Sequence, residues 1–143
     1  MPSDSMPSDS MPSDPAQSDP APRAAAVVSA LRTLELERAG LAALAAALDG
    51  PLGQALAKAV DLIVAAPGRV IVSGMGKSGH VARKIAATLA STGVPAHYVH
   101  PAEASHGDLG MIQTQDVIFA LSWSGEPPEL ADLITYAGRF HIP

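Results

Sequence analysis

Residues 69–80 read RVIVSGMGKSGH, and the parsing of this stretch decides the fold. Arg69–Ser73 is a short strand whose centre, Val70-Ile71-Val72, is apolar and β-branched throughout, as suits a strand covered on both faces. Gly74-Met75-Gly76-Lys77-Ser78-Gly79 follows as a glycine loop. Val81, Ile85 and Leu89 then recur at helical spacing, which predicts a helix over 79–91. Glycines let such a loop turn tightly and approach a ligand closely. The helix start presents unpaired N–H groups and a partial positive charge, a ready place for an anion. Ser78 adds a hydroxyl and Lys77 a full charge. The loop is not a Walker A sequence, which needs four residues between its first glycine and Gly-Lys-Ser/Thr. Gly74, Gly76 and Gly79 give the G-x-G-x-x-G spacing, but the next strand ends in His100 and not in an acidic residue. A purely structural strand-to-helix turn and dinucleotide binding remain as alternatives to phosphate binding.

Working outward, Ala96–His100 (AHYVH) is a second strand and Val117–Ser122 (VIFALS) a third. Pro101–Gln115 between them is expected to be mostly loop with a helical turn. Trp123–Pro127 makes a second tight loop, and Pro128 suits the first position of a helix reaching about Gly138. That helix carries Leu130, Leu133, Ile134 and Ala137 on one side. Strand, loop and helix repeated three times imply parallel strands joined by right-handed crossovers, hence a three-layer α/β domain. Two neighbouring parallel strands aim their C-terminal loops at one crevice, where open α/β sheets bind ligands. Ser78 on one loop, and Ser122 and Ser124 on the other, suit a phosphate monoester there. The last helix is not followed by the strand to which a crossover leads, so the sequence is expected to be a fragment of a longer domain.

Upstream, Val27, Leu31, Leu34, Leu41, Leu44 and Leu48 predict an amphipathic helix over 23–48, stopped by Asp49-Gly50-Pro51. A second helix has Leu52, Leu56, Val60 and Ile63 on one face and ends near Pro67-Gly68. Residues 1–20 read MPSDS-MPSDS-MPSDP-AQSDP, a decaying five-residue repeat with too little apolar surface to offset the entropy of ordering. It is expected to be a disordered tail, with the domain occupying 21–143. Of the 143 residues, 48% are hydrophobic, enough for one core. The repeat holds four of the 14 acidic residues, so the remainder is almost balanced against nine Lys and Arg. No basic surface of the kind nucleic-acid binding needs is therefore expected. With no cysteine, disulfides and thiolate chemistry are excluded. No apolar run approaches the ~20 residues of a membrane span, and no secretory signal is recognisable, so a soluble, cytoplasmic protein is expected.

Between the two loops lies His100-Pro101-Ala102-Glu103-Ala104-Ser105-His106-Gly107-Asp108. Histidines and carboxylates this close serve acid–base work on a sugar, a metal site with His100 as a possible ligand, or simple backbone hydrogen bonding. His80, in the first turn of a helix, and His97, on a strand, have weaker claims.

Taken together, Gly74–His80, Ala90-Ser91-Thr92-Gly93, His100-Pro101-x-Glu103-Ala104-x-His106-Gly107-Asp108-Leu109-Gly110-Met111 and Ser122-x-Ser124-Gly125-Glu126 follow in the register of one family. The sequence resembles the SIS (sugar isomerase) domain of the D-arabinose 5-phosphate isomerases of the KpsF/GutQ type, over about residues 30–143. The resemblance implies a five-stranded parallel sheet between helices, of which about three strands fall in this sequence, followed in the family by paired CBS domains absent here. It implies an aldose–ketose isomerase that interconverts D-ribulose 5-phosphate and D-arabinose 5-phosphate without metal or organic cofactor, supplies lipopolysaccharide or capsule precursor, and assembles as a homotetramer. By position it makes Lys77, Glu129 and His106 catalytic. Gly76, Ser78, Gly93, Val94, His100, His106, Ser122 and Ser124 become substrate or phosphate contacts. A non-catalytic SIS domain that senses a sugar phosphate is the rival. Trp123 departs from the usual Asn, and Pro127 and Pro128 replace small hydroxylated residues. The family's further Glu and His fall beyond residue 143.

Overall fold

The computed structural model describes residues 20–143, so the expected tail lies outside the described residues except for Pro20. The chain divides after Gly50 into two compact units, where the sequence suggests one body over 21–143. Helix α1 (Pro20–Leu48) and the turn at Asp49-Gly50 make up the described part of the first. Its many alanines are strong helix formers. Val28 and Leu36 lie off the stripe of Val27, Leu31 and Leu34, and all of these are exposed, so the expected two-faced helix is instead apolar on several sides.

The second unit opens with α2 (Pro51–Ala65). Of its expected face only Ile63 makes contact. Leu52, Leu56 and Val60 are exposed, and Ile63 and Ala66 pack against the sheet core. Strand β1 (Val70–Gly74) leads into α3 (Gly76–Ser91), then β2 (Ala96–Val99), α4 (Pro101–Ser105), a 3-10 turn (Asp108–Met111), β3 (Val117–Leu121), a second 3-10 turn (Pro128–Leu130) and α5 (Ala131–Phe140). The short turns replace most of the loop expected over 101–115.

The strands form a parallel sheet in the order β2-β1-β3, joined by two crossovers. Central β1 is buried at every residue, while β2 and β3 are only partly covered, so the double coverage expected of all strands holds for β1 alone. One face packs Ile71 and Val99 against Ala104, Ile112, Leu130, Leu133 and Ile142. The other packs Val70, Val72 and Val117 against Ala82 and Ala86.

Small residues set the closeness of α3. The helix buries Gly79, Ala82 and Ala86, while Val81, expected on the apolar face, is exposed. In α5 Leu133 is fully buried and Ile134 is exposed. Tyr136 packs instead, its hydroxyl donating to the Ile112 carbonyl at 3.2 Å.

A buried ion pair pins the base of the sheet. The Asp116 carboxylate, 2% exposed, accepts from the Arg69 backbone N–H at 2.8 Å, the Arg69 guanidinium at 2.8 and 3.3 Å, and the Gln113 N–H at 2.9 Å. Arg69 also donates to the Met111 carbonyl at 2.6 Å. Burial pushes the Asp116 carboxyl up. The guanidinium and the two amides outweigh it and hold the group below the usual carboxylate range.

Candidate active site

The sheet register builds the crevice. Gly74 pairs with Leu121, so the loop leaving β1 runs beside the loop leaving β3. Only Met75 separates strand from helix, and α3 begins three residues before the expected start. Lys77 and Ser78 thus belong to the first helical turn rather than to an open loop. Gly76 makes this sharp entry possible with φ of +55°, a conformation side chains resist. Gly79 allows the close fold-back, since a Cβ there would lie 2.6 Å from the Gly74 carbonyl oxygen. Met75 supplies no side-chain cap, so the first amides of α3 stay available to a ligand.

Across the crevice the second loop is tied by its own serines. Ser122 Oγ accepts from the Gly125 N–H at 3.0 Å and Ser124 Oγ from the Glu126 N–H at 3.4 Å. Each hydroxyl keeps its proton to donate outward. Ser78 and Ser122 are half-buried, while Lys77 and Ser124 are exposed. Trp123 projects wholly into solvent. Pro127 and Pro128 lead into the 3-10 turn, where fully buried Leu130 anchors its exposed neighbour Glu129.

The histidines frame α4. His100 is its N-cap, with Nδ1 accepting from the Ala102 N–H at 3.2 Å, a role the sequence signals only through the Pro101 that follows. His106 is its C-cap and is exposed. Buried Ala104 joins the cluster containing Leu130, so α4 packs beside the turn that carries Glu129. Lys77, Ser78, Ser122, Ser124 and Glu129 therefore lie on loops and turns at the C-terminal end of the sheet, with His100 leaving the same end of β2. Gly93 and Val94 do not. They end α3, with the Val94 N–H bonded to the Leu89 carbonyl, at the opposite end of a 16-residue helix about 24 Å long. Within one chain they therefore stand apart from Ser78, Ser122 and Ser124.

No group of three or more His, Asp or Glu side chains gathers as a metal site among the described residues. Two features escape sequence reasoning. Arg69 and Asp116 are 47 residues apart, and Arg83 lies over the Tyr98 ring at 4.5 Å. Neither pairing leaves a local signature.

Comparisons with known proteins agree with this geometry. The family model for the SIS domain matches residues 62–143. Arabinose 5-phosphate isomerase KdsD of Pseudomonas aeruginosa is 54% identical over 114 residues, covering 80% of this chain and 34% of that protein. The KdsD of Salmonella typhi is 51% identical over 110 residues, covering 77% and 32%. The chain thus spans about a third of the length of these curated relatives. Among solved structures, E. coli CFT073 c3406 in complex with arabinose 5-phosphate superposes with a TM-score of 0.67 at 35% identity, covering 80% of this chain and 61% of that one. A putative phosphosugar isomerase involved in capsule formation from Bacteroides fragilis gives 0.65 at 38% identity, covering 79% and 58%.

Proposed function

Since this chain belongs to the SIS domain family, we propose that it forms the phosphate-binding part of an aldose–ketose isomerase acting on D-ribulose 5-phosphate and D-arabinose 5-phosphate. The observation that carries this reading is the Gly74–Leu121 pairing, which sets the first turn of α3, with Ser78, beside the loop of Ser122 and Ser124 at the ligand end of a parallel sheet. The phosphate lies between the first amides of α3 with Ser78 and the hydroxyls of Ser122 and Ser124. It thereby fixes where the reacting carbons fall.

Isomerisation of ribulose 5-phosphate removes a proton from C1 and delivers one to C2, through an enediolate whose charge rests on oxygen. Glu129 serves as the carbon base, Lys77 stabilises the developing oxyanion, and His106 moves the proton between the two oxygens. His100 orients α4 and contacts substrate. None of these steps calls on a cofactor. The product is the pentose phosphate from which lipopolysaccharide and capsule sugars are built, the protein works in the cytoplasm, and it assembles as a homotetramer.

The test is affinity for arabinose 5-phosphate in the Ser122→Ala/Ser124→Ala variant, measured by calorimetry. Two lost hydroxyl donors to a charged ligand should weaken binding about tenfold or more. Unchanged affinity would remove the phosphate from this crevice.

A further inference from the structure

One line of side chains on α1 repeats without a break. Val27, Leu34, Leu41 and Leu48 stand seven residues apart over about 32 Å of helix. Leu31 flanks this line on one side and Leu44 on the other. A strict seven-residue period keeps its seam toward a partner only where helices supercoil left-handedly, since in a straight helix the line drifts away. All six side chains are exposed, by 38–68%. Between Arg38 and Asp49 the chain carries no charge, and a helix apolar on so many sides belongs in a packed core. Glu37 falls on the Leu44 side of the seam and Arg38 on the Leu31 side. In a parallel pair the two-fold axis runs along the seam, so the Glu37 side of each helix meets the Arg38 side of the other. An antiparallel pair would set like side against like.

We propose that α1 is a self-association surface, which pairs in parallel along the Val27–Leu34–Leu41–Leu48 seam with α1 of a second copy of this chain. The seam complements itself, because identical apolar lines face each other and its two flanks carry opposite charges, as an isologous contact demands. Six side chains of such exposure on each helix remove on the order of 1,000 Å² of apolar surface from water, which reaches the size a specific interface needs. A membrane is the poorer occupant, because Glu35 and Glu37 stand among the three arginines of α1 and leave it no basic polar face. The inference supplies a contact for the assembly proposed above, but it rests neither on the isomerase reading nor on that copy number.

The test is the mass of the full chain by analytical ultracentrifugation. Leu34→Lys/Leu41→Lys places like charges in the paired seam at exposed positions, and lysine is a good helix former. This seam variant should retain its helical circular dichroism and show half the wild-type mass at the same concentration. Leu36→Lys, about half a turn away from the seam, should keep the wild-type mass. The chain has no cysteine, so Val27→Cys and Leu48→Cys each introduce a single cross-linking site. Each of these two variants should form a disulfide with its own kind on oxidation, because a parallel seam brings equal positions within the Cα separation of about 4.4–6.8 Å that a disulfide spans. The proposal is overturned if the wild type is a monomer, if the seam variant keeps the wild-type mass, if Leu36→Lys halves it as well, or if the two cross-linking variants react only when mixed. A wild-type monomer that floats with phosphatidylglycerol vesicles would give the stripe to lipid instead. A wild-type dimer that the seam variant turns into a monomer would uphold this pairing and count against the homotetramer alone.

Discussion

Lys77→Ala is expected to lower kcat for ribulose 5-phosphate about a hundred- to a thousandfold while leaving KM nearly unchanged, the loss typical of one oxyanion-stabilising group. Lys77 stands in the first turn of α3, exposed and without an ion pair among the described residues, so its charge is not spent on the protein. In the proposed site the phosphate, in contrast, is assigned to amides and serine hydroxyls that the substitution leaves intact. A group acting on the enediolate rather than on the phosphate must therefore show itself in kcat. Lys77→Arg, which keeps charge but spreads it over a larger fork, should recover part of the rate. Steady-state kinetics decide the matter. A wild-type kcat in Lys77→Ala would end the assigned role, and a rise in KM alone would move Lys77 to ground-state binding.

The second large effect is on stability. Asp116→Ala should cost about 2–3 kcal/mol, at or just below the lower end of the range for breaking a buried ion pair because Arg69 is 35% exposed and partly screened by solvent. The substitution strands the backbone N–H groups of Arg69 and Gln113 and leaves the guanidinium only its bond to the Met111 carbonyl and solvent. Against a typical domain stability of roughly 5–15 kcal/mol this is a visible fraction, measurable as a lower urea midpoint. An unchanged midpoint would show the pair to be dispensable. The same carboxylate sets an acid limit. Its folded pKa is depressed, so protonation favours the unfolded chain. The contribution is complete above the ordinary Asp value of about 4 and is lost as pH falls through the lower folded value. The alanine variant should lack this part of the acid-induced loss.

The sheet was legible because β1 and β3 are compact apolar runs, β2 is a short run between Pro95 and Pro101, and three such runs separated by helical segments leave few topologies. The crevice was legible for the same reason, since Ser78 and Ser122 each fall shortly after a strand. Helix faces were harder. Val81, Leu52, Leu56, Val60 and Ile134 fit the apolar period yet lie exposed, while Gly79, Ala82 and Ala86 make the contact. A period counts bulk, whereas close helix–sheet packing selects small side chains. The start of α3 was misplaced because glycines read as loop, although Gly76 only supplies the left-handed step that begins the helix. Gly93 and Val94 entered the expected site through resemblance, and α3 carries them to its far end. The Arg69–Asp116 pair could not be foreseen, since nothing local joins residues 47 apart.

The central claim is that the two serine loops grip one phosphate. NMR titration with arabinose 5-phosphate, set against unphosphorylated D-arabinose, tests it most directly. Arabinose 5-phosphate should shift the amides of Lys77, Ser78, Gly125 and Glu126 along a single isotherm, and D-arabinose should leave all four in place. Binding of arabinose 5-phosphate with those four amides unmoved, or equal shifts with D-arabinose, would contradict it.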